Sequence, residues 1–466
     1  MKNLKQHLQQ TGHKLVTRRD FLAHGLITFS AAVTLPRFLS LKKAWAEGEC
    51  GGGALPSLPP FMVYDMAGGA ALPASFLVGG EGGPEDLLPS YNLLGWDPRE
   101  SGALNKDFGI PMSALYSTFL TSMIANSSPE ARSRLRMGSL CHFAQDDTST
   151  NRMNAGNLAL RAGLRGMFIS NGLGNMNTLS GGNSSPVSAS PSLKPIFASS
   201  VDSVLGATNF GGEALRQVGI EKLQALAESS VELSRLQKED YRSQPDGEVL
   251  ADLSQCAYEQ SLTFVNGVEG LDPRLDGSTQ AVYGIDQNSA ASDMNVVAAA
   301  ITMNSIKGHS GPSVWTLGGC DYHDGSQETG DRQDGLMGAE IGRAIELAHR
   351  LQRPFFFQLL TDGSCSANPG TREWQSDSGD KCMTILGYYD PKGPPKMLRQ
   401  QVGYYTSGQG AERETLIGSE PSLVGYAVLA NYLNICGKLK DFNSIAPGVF
   451  TDPRQLESVL LFEGPA

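Results

Sequence analysis

The sequence predicts an α/β protein: a three-layer α/β/α sandwich on a mostly parallel sheet, with a helical insertion. Three observations predict it. Short apolar runs suited to strands alternate with stretches of helical spacing along most of the chain. One run, FFFQLLT at residues 355–361, is almost continuously apolar, as a strand covered on both faces is. Several runs also stop at an Asp or a His, as expected of a sheet that gathers polar groups beyond the carboxyl ends of its strands.

Before the first strand comes an export signal. Arg18 and Arg19 precede a moderately apolar segment, residues 21–36, which leads to Ala44-Trp45-Ala46, a small-x-small cleavage pattern. The apolar stretch is diluted by His24, Gly25, Thr28, Ser30 and Thr34, and Lys42 and Lys43 sit just before the cut. It is short for a bilayer span, which needs about 20 apolar residues. These features predict a twin-arginine signal over residues 1–46, export in the folded state, and a place of action in the periplasm or cell envelope.

Eight of the 37 Lys+Arg and one of the 48 Asp+Glu lie in those 46 residues, leaving 29 basic and 47 acidic residues and a formal charge near −18. Such acidity argues against nucleic acid and anionic lipid as partners. No second membrane segment appears, so no stable span is expected in the mature chain. The seven cysteines are scattered and form no disulfide framework, but Cys365 and Cys382 flank a Gly/Ser/Asp-rich loop and are the best candidate pair in an oxidising compartment.

Residues 47–58 read as a flexible lead-in, and 59–466 as a single α/β domain. Residues 59–65 (PPFMVYD) form a buried strand ending in an acid, followed by a loop too rich in glycine for regular structure. Residues 111–126 have helical spacing through Met112, Leu115, Phe119, Leu120 and Met123. A strand at 136–143 and a helix at 151–163 come next, then a Gly/Asn/Ser-rich loop at 171–192. Two amphipathic helices at 213–238 and 249–268 make the insertion, near 211–270. The later half reads as helix 292–306, strand 313–317, helix 335–351 with Leu336, Ile341, Ile345 and Leu347 on its apolar side, strand 355–361, strand 383–389 and helix 421–436.

Four of these strands lead into Asp65, His142, Asp321 with His323, and Asp362. A parallel sheet places them all at one edge, where hard oxygen donors and an imidazole suit a single divalent metal ion. Asp321 and His323 are the strongest pair: residues two apart on an extended chain address the same side, and Gly318 and Gly319 before them permit close approach. Just beyond the second strand, Thr148 and Ser149 open a helix, a position that suits a nucleophile or an oxyanion binder. Each residue also has a structural reading: turn or N-cap for the Asp residues and hydroxyls, a buried hydrogen-bonded ring for His142.

The twin-arginine signal, the acid before a Gly-rich loop, Asp146-Asp147-Thr148-Ser149-x-Asn151, and Gly318-Gly319-x-Asp321-x-His323 before a long helix and a strand form one set. Together they resemble an exported bacterial family of unknown function with an alkaline-phosphatase-like, sulfatase-like fold. The resemblance spans essentially the whole mature chain and implies that fold. This chain departs from it at Cys320 and Tyr322, where members commonly have Trp and Thr, and at Lys381 and Arg152-Met153, where they often carry histidine. Only His142, His309, His323 and His349 remain after residue 46, too few for a full two-metal centre.

The expectation is therefore an exported envelope protein with a degenerate, single-metal hydrolase site for a small phosphate or sulfate ester. Asp65, Asp321, His323 and Asp362 would bind the ion, and Thr148 or Ser149 would attack the ester. The alternative is a non-catalytic protein that binds an envelope partner or assembles a surface structure on the same scaffold.

Overall fold

The computed structural model describes residues 58–144, 152–164, 166–171, 195–208, 270–320, 322, 325 and 327–465. All of them belong to one unit of the chain, residues 56–209 with 270–466. The predicted export signal, the predicted helical insertion and four site candidates (Thr148, Ser149, Asp321 and His323) lie outside the described residues.

The centre of the unit is an eight-stranded sheet in the order β12-β4-β11-β8-β1-β7-β5-β6. Its strands are β1 (Phe61–Met66), β4 (Leu135–His142), β5 (Ile169–Asn171), β6 (Ile196–Ala198), β7 (Ser313–Leu317), β8 (Phe355–Leu360), β11 (Cys382–Tyr389) and β12 (Gln401–Val402). Strands β2 (Leu104–Asn105) and β3 (Met112–Ser113) pair separately, as do β9 (Cys365–Ala367) and β10 (Trp374–Asp377). In the large sheet β11 alone runs antiparallel, against β4 on one side and β8 on the other. The other seven share one direction, so their carboxyl ends form one edge.

Side-chain alternation builds the two outer layers. In β1, Met62, Tyr64 and Met66 enter one core and Phe61 and Val63 the other; in β8, Phe355, Phe357 and Leu359 part from Phe356 and Leu360 in the same way. The first core is closed by α1 (Thr118–Ala125), α2 (Pro129–Ser133), α4 (Val201–Ala207), α5 (Gly277–Tyr283), α6 (Met294–Lys307) and α7 (Gln327–Arg350). The second is closed by α3 (Gly156–Arg161), α8 (Pro421–Ile435), α9 (Phe442–Ile445) and α10 (Pro453–Ser458). The architecture is thus a three-layer α/β/α sandwich. No helix among the described residues is long and apolar enough to cross a membrane.

Several boundaries differ from the pattern in the sequence. The predicted helix at 111–126 is strand β3, a turn and then α1, because the Ser117 hydroxyl accepts from the Leu120 amide and caps the helix there. Leu115 is consequently exposed. Helix α7 begins eight residues before the predicted start, through a polar segment with no apolar spacing to announce it. Its packing face is set by glycine: a Cβ on Gly338 would lie 2.1 Å from the Phe119 carbonyl oxygen, so α1 and α7 approach closely and Leu336 turns to solvent. The Cys365–Cys382 pairing is also corrected. The Cys365 thiol donates to the Gly69 carbonyl at 3.4 Å and the Cys382 thiol to the Thr361 carbonyl at 3.8 Å, and no disulfide joins them.

Candidate functional site

Loops that leave the carboxyl edge are fastened to one another before any ligand is considered. The Ala67 amide donates to the Leu317 carbonyl (2.9 Å) and the Cys320 amide to Ala67 (3.1 Å), which ties the turn after β1 to the turn after β7. Gln333 of α7 donates through Nε2 to the carbonyls of Gly318 (3.1 Å) and Gly319 (3.3 Å). Gly319 has φ +74°, a conformation that favours glycine, so this turn needs the residue the sequence supplies.

Asp65 is the fifth residue of β1 and fully buried, paired in register with Thr316 of β7 and Leu360 of β8. Asp362 stands two residues past β8. Its Oδ1 accepts from the Gly68 amide (3.0 Å) and the Gly69 amide (2.9 Å), while Thr361 Oγ1 accepts from Ala70 (2.8 Å). Both glycines have positive φ, which turns their N–H groups inward onto one acceptor. Asp362 therefore shapes the Gly-rich loop through Oδ1.

Five carboxyl, imidazole or amine side chains of the described chain are buried: Asp65, His142, Asp334, Glu340 and Lys381. His142 ends β4, as the sequence indicates, but its ring is engaged on both sides. Nδ1 donates to the Phe143 carbonyl (3.2 Å), and Nε2 accepts from the Thr384 hydroxyl (3.0 Å). Burial lowers its pKa to about 4, so the ring is neutral and structural. His309 and His349 lie before β7 and β8, at the amino edge, and His349 Nδ1 meets the Tyr389 hydroxyl at 2.9 Å.

Asp334 of α7 accepts from the Tyr322 hydroxyl (2.7 Å) and the Ser75 hydroxyl (3.1 Å), and burial raises its pKa to about 6. Tyr322 is the residue between Asp321 and His323. Its ring packs on Trp374 at 5.6 Å between centroids and leaves no room for a Cβ on Gly330. Sequence reading passed over Tyr322, although a buried hydroxyl needs an acceptor and Asp334 lies twelve residues on. Glu340 accepts from the Tyr283 hydroxyl (2.8 Å) and the Thr302 hydroxyl (3.2 Å) within the first core, and burial raises its pKa to about 7. These groups belong to the scaffold, whereas Asp65 and Lys381 lie at the carboxyl edge.

Further polar groups surround Asp65 without appearing in the sequence pattern. Thr316 is its register partner on β7, and Ser170 of β5 pairs with Val314, so all three side chains share the face of the second core. Thr316 Oγ1, Ser170 Oγ and both amide atoms of Asn157, on α3 packed against β1, are buried and have no hydrogen-bond partner among the described residues. Each such atom costs about 1–3 kcal/mol if nothing satisfies it, so an ordered water or a bound ion here would gain ready-made partners. Alternation in SVWTL places Thr316 beside Val314, but Ser170 sits on a three-residue strand at the edge of a Gly/Asn/Ser-rich region and gave no periodic signal. Among the described residues no three His, Cys, Asp or Glu side chains gather as a ligand set.

Comparison of the chain with protein-family models, curated proteins and solved structures returned no match.

Proposed function

We propose that this chain is an exported hydrolase of phosphate or sulfate esters, built on an alkaline-phosphatase-like, sulfatase-like scaffold and working with one divalent cation. The observation that supports it is the oxygen-rich set on one face of the carboxyl edge: buried Asp65, with the hydroxyls of Thr316 on the adjacent strand β7 and Ser170 on β5 beyond it, neither partnered among the described residues. A hard cation prefers carboxylate, hydroxyl and amide oxygens, so these residues fit the ion. Asp65, Asp321, His323 and Asp362 would hold it. The ion would stabilise negative charge developing on the ester oxygens. Tyr322, fixed by Asp334 and Trp374, lies between Asp321 and His323 in the sequence. Thr148 or Ser149 would attack phosphorus or sulfur, the alcohol would leave, and water would release the oxyanion.

The test is turnover of aryl phosphate and aryl sulfate esters by the exported protein, with and without chelator. Chelator-sensitive hydrolysis that Asp65→Ala abolishes is expected, and hydrolysis indifferent to both would contradict the reading. A second reading, a non-catalytic envelope protein that binds a partner, is favoured by one observation: Asp362 Oδ1 is already committed to the Gly68 and Gly69 amides. A bound cation without turnover would select it.

A further inference from the structure

Lys381 is the one buried lysine of the described chain, with a side chain 6% exposed. It ends the single turn Gly379–Lys381 that leads into β11. Because β11 runs against its neighbours, its start lies at the carboxyl edge. Cys382, the next residue, pairs with His142 at the end of β4, and its thiol reaches the Thr361 carbonyl beside Asp362. The Gly379 carbonyl accepts from the Ala144 amide at 2.8 Å. The turn is thereby held to the residue after which the chain runs on to Thr148 and Ser149.

Among the described residues the ammonium has one charged neighbour, Asp380 Oδ1 at 3.6 Å, too long for a hydrogen bond. That oxygen already accepts from the Ser378 hydroxyl at 2.5 Å, and the Asp380 side chain is 44% exposed. An ammonium carries three donors, and none has a hydrogen-bonded acceptor among the described residues. The side chain is mostly removed from water, so an anion that reaches the ammonium gains more than it would at an exposed lysine. With His142 neutral, Lys381 is the most buried lysine or arginine among the described residues, at an edge that otherwise carries the carboxylates of Asp65 and Asp362.

We propose that Lys381 is the anion-recognising residue of the site, donating to an oxygen of a tetrahedral oxyanion, phosphate or sulfate. Asp380 is the counter-ion that the anion displaces. The nature of the anion rests on the ester-hydrolase reading; a Lys381-dependent anion site stands or falls by its own measurement. The geometry explains why a lysine at this position can serve a site short of imidazoles: it supplies a fixed charge without taking part in ion coordination.

Inorganic phosphate and inorganic sulfate are titrated separately into the exported protein by calorimetry at constant ionic strength. At least one should bind, and the pair of titrations identifies which. Lys381→Gln should weaken binding about tenfold to a hundredfold, the effect of one charge-assisted hydrogen bond. Lys381→Arg should retain it, and Asp380→Asn, which removes the competing carboxylate, should tighten it. A purely structural ion pair gives a different pattern: Lys381→Gln and Asp380→Asn both lower the melting temperature and leave anion affinity unchanged. That pattern, or no binding of either anion to the unaltered protein, overturns the proposal. If Lys381→Gln does not fold, the Arg and Asn variants decide. Lys381-dependent anion binding without ester turnover would uphold this site and reject hydrolysis.

Discussion

Replacing Glu340 with Gln should change how stability depends on pH. The carboxyl group is 3% exposed, and burial raises its pKa from 4.5 to about 7. The protonated form is therefore favoured in the folded chain. Its contribution is fully present below pH 4.5, declines as the unfolded chain ionises first, and is lost as pH rises through 7. A tenfold change in acidity is worth about 1.4 kcal/mol, so about 3 kcal/mol separates the two limits. Gln keeps an acceptor for the Tyr283 and Thr302 hydroxyls but cannot ionise. Arg343, 3.7 Å from Oε2, loses its ion pair, a small loss because that side chain is partly exposed. In urea unfolding, Glu340→Gln should gain on the parent by about 2–3 kcal/mol between pH 5 and pH 8. An equal effect at both pH values would refute the assignment of Glu340 as a buried, pH-sensitive carboxyl.

Other consequences follow from the same geometry. Gly338→Val places a side chain against the Phe119 carbonyl and should lower stability by at least about 1–3 kcal/mol in thermal unfolding. Asp362→Ala removes the acceptor shared by the Gly68 and Gly69 amides; both should exchange hydrogen faster, with a loss of about 1.5–3 kcal/mol. Tyr322→Phe leaves Asp334 without its shorter hydrogen bond and should destabilise the chain by about 1–3 kcal/mol, measured by urea unfolding. Cys365 and Cys382 should both be alkylated in denaturant without reductant, as read by mass spectrometry of their peptides.

The sheet was legible where strands are buried on both faces. Residues 313–317 coincide with β7, and β1, β4, β8 and β11 fall within two residues of their predicted bounds, because apolar runs of that length leave little choice of register. Strands β5 and β6 were not legible: each is three residues long, and their pairing comes from β7 and from each other. The start of α7 was missed since QETGDRQD has no apolar period, and its inner face is marked by glycines, whose role appears only with α1 in place. At the candidate site, the positions of Asp65 and Asp362 at one edge could be read from strand ends. What each oxygen does could not. The Asp362 hydrogen bonds come from a loop 294 residues away in sequence, and the buried hydroxyls of Thr316 and Ser170 look like ordinary strand residues until the sheet is assembled.

The most direct test of a cation held at the carboxyl edge is metal analysis of the purified protein and its Asp65→Ala variant, with folding of both checked by circular dichroism. One divalent ion per chain, absent from the folded variant, is the predicted result. The same metal content in both, or none in the unaltered protein, would contradict it.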